Sequence, residues 1–181
     1  TLPTPREARP FLKEVMVVTS SGREVPRATN SSATSCSNYV VVESSGENVG
    51  GLFGYASNCE IITSMNKANI GTSSATNVGG LVGQSKTSTF VGCTNGESKF
   101  DLIKYDGETT DALVERVSTI QGKYVGGLVG YATGGSIGVK GGSYNEENYG
   151  NITSSVSSGL AGGIVGYADT TNVFNSKNFG L

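Results

Sequence analysis

The chain has no histidine and no tryptophan, and its 181 residues include only three cysteines, four prolines and two methionines. Without histidine, the commonest general base and the commonest metal ligand are missing. A serine–histidine–aspartate triad is excluded in its usual form. Cys36, Cys59 and Cys93 form no Cys-x-x-Cys pair and are too few for a disulfide framework. Charge is also scarce, at 15% of residues and a net −2. No basic stripe with interleaved aromatics is present, so the usual footprint of a nucleic-acid binder is absent. The longest apolar run, Val15 to Val18, is strand-sized and falls far short of the ~20 residues that span a bilayer.

What the chain does have is glycine, serine, threonine and asparagine, with spaced Val, Leu and Ile between them. Low charge separates this composition from ordinary disorder, which pairs low hydrophobicity with high net charge. It reads as many short strands joined by turns. A five-residue core recurs four times: Gly50-Gly51-Leu52-Phe53-Gly54, Gly79-Gly80-Leu81-Val82-Gly83, Gly126-Gly127-Leu128-Val129-Gly130 and Gly162-Gly163-Ile164-Val165-Gly166. A second element, small-x-Asn, follows each copy and ends at Asn66, Asn95, Asn145 and Asn178. From the second glycine to the asparagine the count is 15, 15, 18 and 15, so one coil carries a three-residue insertion. Cys36-Ser37-Asn38 matches the same element of an incomplete leading repeat. An apolar residue a few positions on, as in Ala68-Asn69-Ile70-Gly71, gives a third piece.

About three strand-sized pieces in 28 to 30 residues suit one coil of a solenoid. The fold expected is therefore all-β, a parallel β-helix or β-solenoid of about four coils over residues 36–181. Residues 1–35 do not match the repeat and are expected to cap or flank it, with a strand over 13–19 and a return strand over 24–28. The spacing from Gly80 to Gly127 is 47, against 29 from Gly51 to Gly80. The excess of about 18 falls in a charged insertion at 97–123. Within it, Thr110 to Gln121 fits a short helix, with Leu113, Val117 and Ile120 on one face, or an irregular hairpin.

Stacked coils place equivalent residues in ladders. Leu52, Leu81, Leu128 and Ile164 are expected inside. By strand alternation, Phe53, Val82, Val129 and Val165 should face outward with Tyr55, Gln84, Tyr131 and Tyr167. The second of these two sets is the best candidate ligand or partner surface, because exposed tyrosines offer flat amphipathic area. The ladder asparagines suit turn chemistry and side-chain ladders.

The repeated Val-Gly-Gly-Leu-Val-Gly core with its downstream Ser-x-Asn resembles the GLUG-motif repeat. Residues 48–70, 77–95, 124–152 and 160–181 carry the resemblance. It implies a bacterial cell-surface or secreted protein with an adhesive, presenting or spacing role; the missing histidine and the isolated acids of the repeat strands are what argue for no enzymatic activity. It carries over no catalytic residue, metal ligand or cofactor. It implies a host glycan or surface protein as partner, and a chain that is part of a longer polypeptide. The alternative is a carbohydrate-binding or carbohydrate-active β-helix, with Asp101, Asp106, Glu108 and Asp111 forming an acidic groove.

Overall fold

The computed structural model describes residues 11–12, 26–97 and 118–180. Among these residues every regular element is a strand, and every strand pairing is parallel. The strands form a β-solenoid of about four turns, as the repeat predicts.

Each full coil has five short strands rather than three. In the first they are Asn48–Gly50, Phe53–Ser57, Glu60–Ile62, Met65–Asn66 and Ile70–Gly71. Coils stack into five sheets, one per side. Short strands arise because the chain bends every few residues. Two left-handed bends recur in every coil. After the second strand it falls at Asn30, Asn58, Thr87, Gly134 and Thr170; after the third, at Ser35, Thr63, Gly92, Gly138 and Asn175. Asparagine and glycine are the residues that tolerate this region best. The ladder asparagines themselves are not at these positions.

A leading coil precedes the first full one and begins earlier than the repeat core indicates. Arg27–Thr29 pairs in register with Tyr55, Ala56 and Ser57, and Ser32–Thr34 with Glu60, Ile61 and Ile62. Residues 26–35 thus belong to the solenoid. They lack the glycine core, which is why spacing alone assigned them to the flank. Phe11–Leu12 adds a further parallel strand beside Ser32–Thr34. The expected strand over 13–19 lies outside the described residues.

The interior has two lobes. One holds Leu52, Phe53, Ala56, Cys59 and Ile61 with their equivalents in the neighbouring coils. The other holds Val49, Ile70, Ala75, Val78, Ile120 and Val125. The waist between them is where Asn66 meets Gly51. A Cβ on Gly51 would lie 2.8 Å from Asn66 Oδ1 and would also strike the Gly80 carbonyl. Gly80 meets Asn95, Gly127 meets Asn148 and Gly163 meets Asn178 in the same way. The first glycine of each pair has a different neighbour. A Cβ on Gly50 would collide with the Phe53 and Leu81 carbonyls. The glycine core is therefore required by backbone packing inside the solenoid. The 15-residue count from Gly51 to Asn66 is the perimeter of the first lobe.

Two ladder expectations need correction. Phe53, Val82 and Val129 are buried in the same lobe as Leu52, Leu81 and Leu128. Alternation does not run through from Leu52 to Phe53, because Leu52 sits in a bend before the strand starts at Phe53. It resumes at Tyr55, with Tyr55 outward, Ala56 inward and Ser57 outward. The third coil's asparagine is Asn148, not Asn145. Asn148 pairs with Asn95 and Asn178. Gly127 to Asn148 is 21 residues, so the insertion is six residues rather than three. It bulges after Ser136–Ile137. Ser143-Tyr144-Asn145 mimics the motif by chance within that bulge.

The other insertion leaves the waist intact as well. The ladder resumes at Thr119–Gly122, where Ile120 pairs with Ile70 and Ile152. Ile120 is thus a core strand residue rather than part of a helix. The remaining expectations for the insertion fall on 98–117, outside the described residues.

The register correction has a direct test. Asn148→Ala removes the acceptor for Asn95 and Gly150 and the donor to Asn178 and the Gly150 carbonyl. It is expected to cost roughly 2–4 kcal/mol, the scale of buried polar groups left unpaired. Asn145→Ala is expected to stay within about 0.5 kcal/mol. Urea unfolding midpoints of the two variants check this, and comparable losses would refute the register.

Candidate functional site

The Phe53–Ser57 side carries the outward set singled out from sequence. Register aligns Arg27, Tyr55, Gln84, Tyr131 and Tyr167 in one column. Parallel pairing spaces successive members about 4.8 Å apart, and this decides how their planar groups meet. Tyr131 and Tyr167 stack with centroids 4.8 Å apart and planes 12° apart. The Arg27 guanidinium lies 4.7 Å over the Tyr55 ring. Flat faces are thus consumed along the column, and ring edges and polar tips face solvent. The expected set of Tyr55, Gln84, Tyr131 and Tyr167 does form one outward column, and its available groups are edges and hydroxyls more than ring faces. Tyr167 is the exception, at 39% exposure, because it stands at the end of the column.

A second column escaped the sequence reading. The residue after four of the five ladder asparagines carries an outward side chain: Tyr39, Lys67, Tyr149 and Phe179; after Asn95 the position is taken by the buried Gly96. Tyr149 and Phe179 stack at 4.8 Å and 9°. Lys67 lies 5.8 Å from the Tyr39 ring and pairs with Glu97 at 3.1 Å. The Tyr149 hydroxyl donates to Glu147 Oε2 at 2.8 Å. The signal was present in the sequence as the position following each asparagine, but the wrong third-coil register hid Tyr149.

Two buried titratable groups meet in the third coil, Cys93 and Glu146. Ser64 Oγ accepts the Cys36 N–H at 3.2 Å, and Ser88 Oγ accepts the Cys59 N–H at 3.1 Å. In the third coil Glu146 takes Ser64's ladder position. Its carboxylate accepts from the Gly92 N–H at 2.6 Å and the Cys93 N–H at 2.9 Å. Burial pushes the Glu146 carboxyl above its ordinary range, against the opposing pull of those two N–H donors. Burial, then the nearby Glu146 charge, pushes the Cys93 thiol up to about 12. A thiol held protonated is no nucleophile. All three cysteines are free and buried. Cys36 and Cys93 occupy the same ladder with Ser64 between them. Glu146 is therefore a ladder residue that replaces a serine hydroxyl.

Glu60 and Asp169 sit apart on different sides of the coil. Among the described residues no group of three His, Cys, Asp or Glu side chains could hold a metal ion. No helix among them is long and apolar enough to cross a membrane, which says nothing of strand-built spans. Asp101, Asp106, Glu108 and Asp111 lie outside the described residues.

The fold and its surface columns define a β-solenoid repeat protein. No protein-family model, curated protein or solved structure matches the chain.

The Glu146 environment generates a pH effect. A carboxyl whose folded pKa is raised contributes stability that is present at low pH and is lost as pH rises through the folded value. Glu146→Ser restores the ladder hydroxyl and removes the buried charge. The stability gained by this variant over the parent is expected to be larger at pH 7.5 than at pH 5. Urea unfolding of both proteins at the two pH values measures it, and a gap independent of pH would contradict the assignment.

Proposed function

We propose that this chain is a non-enzymatic repeat module of the GLUG-motif kind, placed at a bacterial cell surface or secreted, that holds adhesive groups at fixed spacing. One observation carries the reading. The repeated residues are spent on the solenoid itself, with glycines and asparagines in the waist and apolar residues in the lobes. Sequence freedom is left to the outward columns and the corner insertions. That division suits presentation, because the scaffold stays rigid while its outer positions vary. A host glycan or surface protein is the proposed partner class. The module is further proposed to act as part of a longer polypeptide, whose other segments would anchor it.

The test uses the whole chain coupled to beads. Retention on glycan arrays or on host cells, with no release of reducing sugar from polysaccharides, is the expected outcome. Sustained polysaccharide cleavage, abolished by replacing Asp101, Asp106, Glu108 and Asp111, would overturn the reading in favour of a carbohydrate-active β-helix.

A further inference from the structure

The planar column begins at a cleft. At its N-terminal end a pocket of about 250 Å³ is lined by Arg27, Glu47, Asn48 and Tyr55 among others. Its origin lies in two departures from the repeat. Arg27 stands where the later coils have Tyr55, Gln84, Tyr131 and Tyr167. Register between Val49 and Val78 also places Gly46 at the position of Ala75. Ala75 is buried and fills the second coil's corner. Gly46 has no side chain, and the corresponding corner of the first coil stays open as part of the pocket lining.

The polar groups in this cleft are not matched to each other. Arg27 is fixed by its stacking over Tyr55. Among the described residues, neither the Arg27 guanidinium nor the Glu47 carboxylate has a hydrogen bond or ion pair, although both line the same pocket. Asn48 accepts from Asn77 Nδ2 at 2.8 Å through its Oδ1, which leaves its own amide N–H groups available. The cleft thus offers guanidinium and amide donors, a carboxylate acceptor and the edge of a tyrosine ring, with the two charges cancelling.

We infer that this cleft binds a neutral pyranose. The guanidinium only donates and the carboxylate only accepts. Vicinal sugar hydroxyls do both, so one diol bridges the two groups without bringing a net charge. The pyranose packs beside the edge of Tyr55, whose phenol hydroxyl can donate to or accept from a sugar hydroxyl. The volume is below the range of drug-sized sites and fits one sugar residue, so the site recognises a terminal or branching unit. This inference gives a ligand class to the proposed presenting role and rests on it only for context. A module that spaces other groups would still fold and stay non-enzymatic if the cleft bound nothing.

The experiment is saturation-transfer NMR on the full chain with methyl α- and β-pyranosides of glucose, galactose and mannose. At least one is expected to bind with a Kd of about 1 mM, the weak end of specific affinity. Arg27→Ala and Glu47→Ala should each weaken it at least tenfold, roughly 1.4 kcal/mol. Lys67→Ala, in the other column, should leave it unchanged. Both cleft side chains are exposed, so the variants are expected to fold, as far-UV circular dichroism would verify. Raising salt to about 0.5 M should change sugar binding less than twofold, because no net charge is exchanged. Binding of glycine or alanine in place of the glycosides would reassign the cleft to a zwitterion. No glycoside binding, or binding that survives both cleft variants, would refute the inference.

Discussion

The structure depends on the contact between an asparagine side chain and a glycine that has no Cβ. Asn38, Asn66, Asn95, Asn148 and Asn178 form one chain of amide hydrogen bonds, each Nδ2 donating to the next Oδ1 at 2.7–2.8 Å. Four of them also donate to the carbonyl two residues on, and three accept the N–H of that residue. Asn66, Asn95 and Asn148 are fully buried. Buried amides are costly unless every group is paired. Here the pairing is supplied half within a coil and half between coils. The ladder therefore fixes coil-to-coil register and the bend after each asparagine together. A one-coil slip or a missing glycine would leave amides unpaired in an apolar interior, which makes the waist a device for specificity as well as stability.

The waist also decides where the repeat tolerates additions. Closing Gly51 on Asn66 makes the first lobe a loop of fixed perimeter. The six residues added in the third coil enter that lobe at a corner and bulge outward, while Gly127 still meets Asn148. Across the longer insertion, Ile120 resumes the ladder beside Ile70. Exposure shows how much the interior owes to stacking. Ala33 is 3% exposed, whereas its ladder equivalent Val173 is 42% exposed on the last coil. Each coil's apolar face is buried by its neighbours, as the linear energetics of repeat proteins require.

Much of this was legible in the sequence, for a physical reason. A solenoid maps spatial neighbours onto a fixed sequence period, so identical roles demand similar residues at equal spacing. The glycine pairs, the Leu52 ladder, the Asn66 ladder and the column of Tyr55, Gln84, Tyr131 and Tyr167 were readable on that ground. Three features were not. The inward position of Phe53 depends on a bend at Leu52 that simple alternation does not encode. Asn148 was hidden because Ser143-Tyr144-Asn145 reproduces the motif, while Glu146 replaces the small residue that normally marks it. The start of the leading coil, residues 26–35, was assigned to the flank because stacking needs only small or apolar residues such as Ala28 and Ala33, not the glycine core.

Stacked columns also revise what an outward tyrosine can do. In a globular protein an exposed ring offers its face. On a parallel solenoid, equivalent rings sit about 4.8 Å apart, close enough to cover one another, as Tyr131 and Tyr167 do. A perfect repeat therefore hides its aromatic faces and displays a uniform row of edges. Recognition of a particular ligand needs a break in that uniformity. In the leading coil, arginine enters the tyrosine column beside a corner emptied by Gly46, and among the described residues the charge of Glu47 has no partner. Regular positions build the rod, and chemical individuality arises where the period is interrupted.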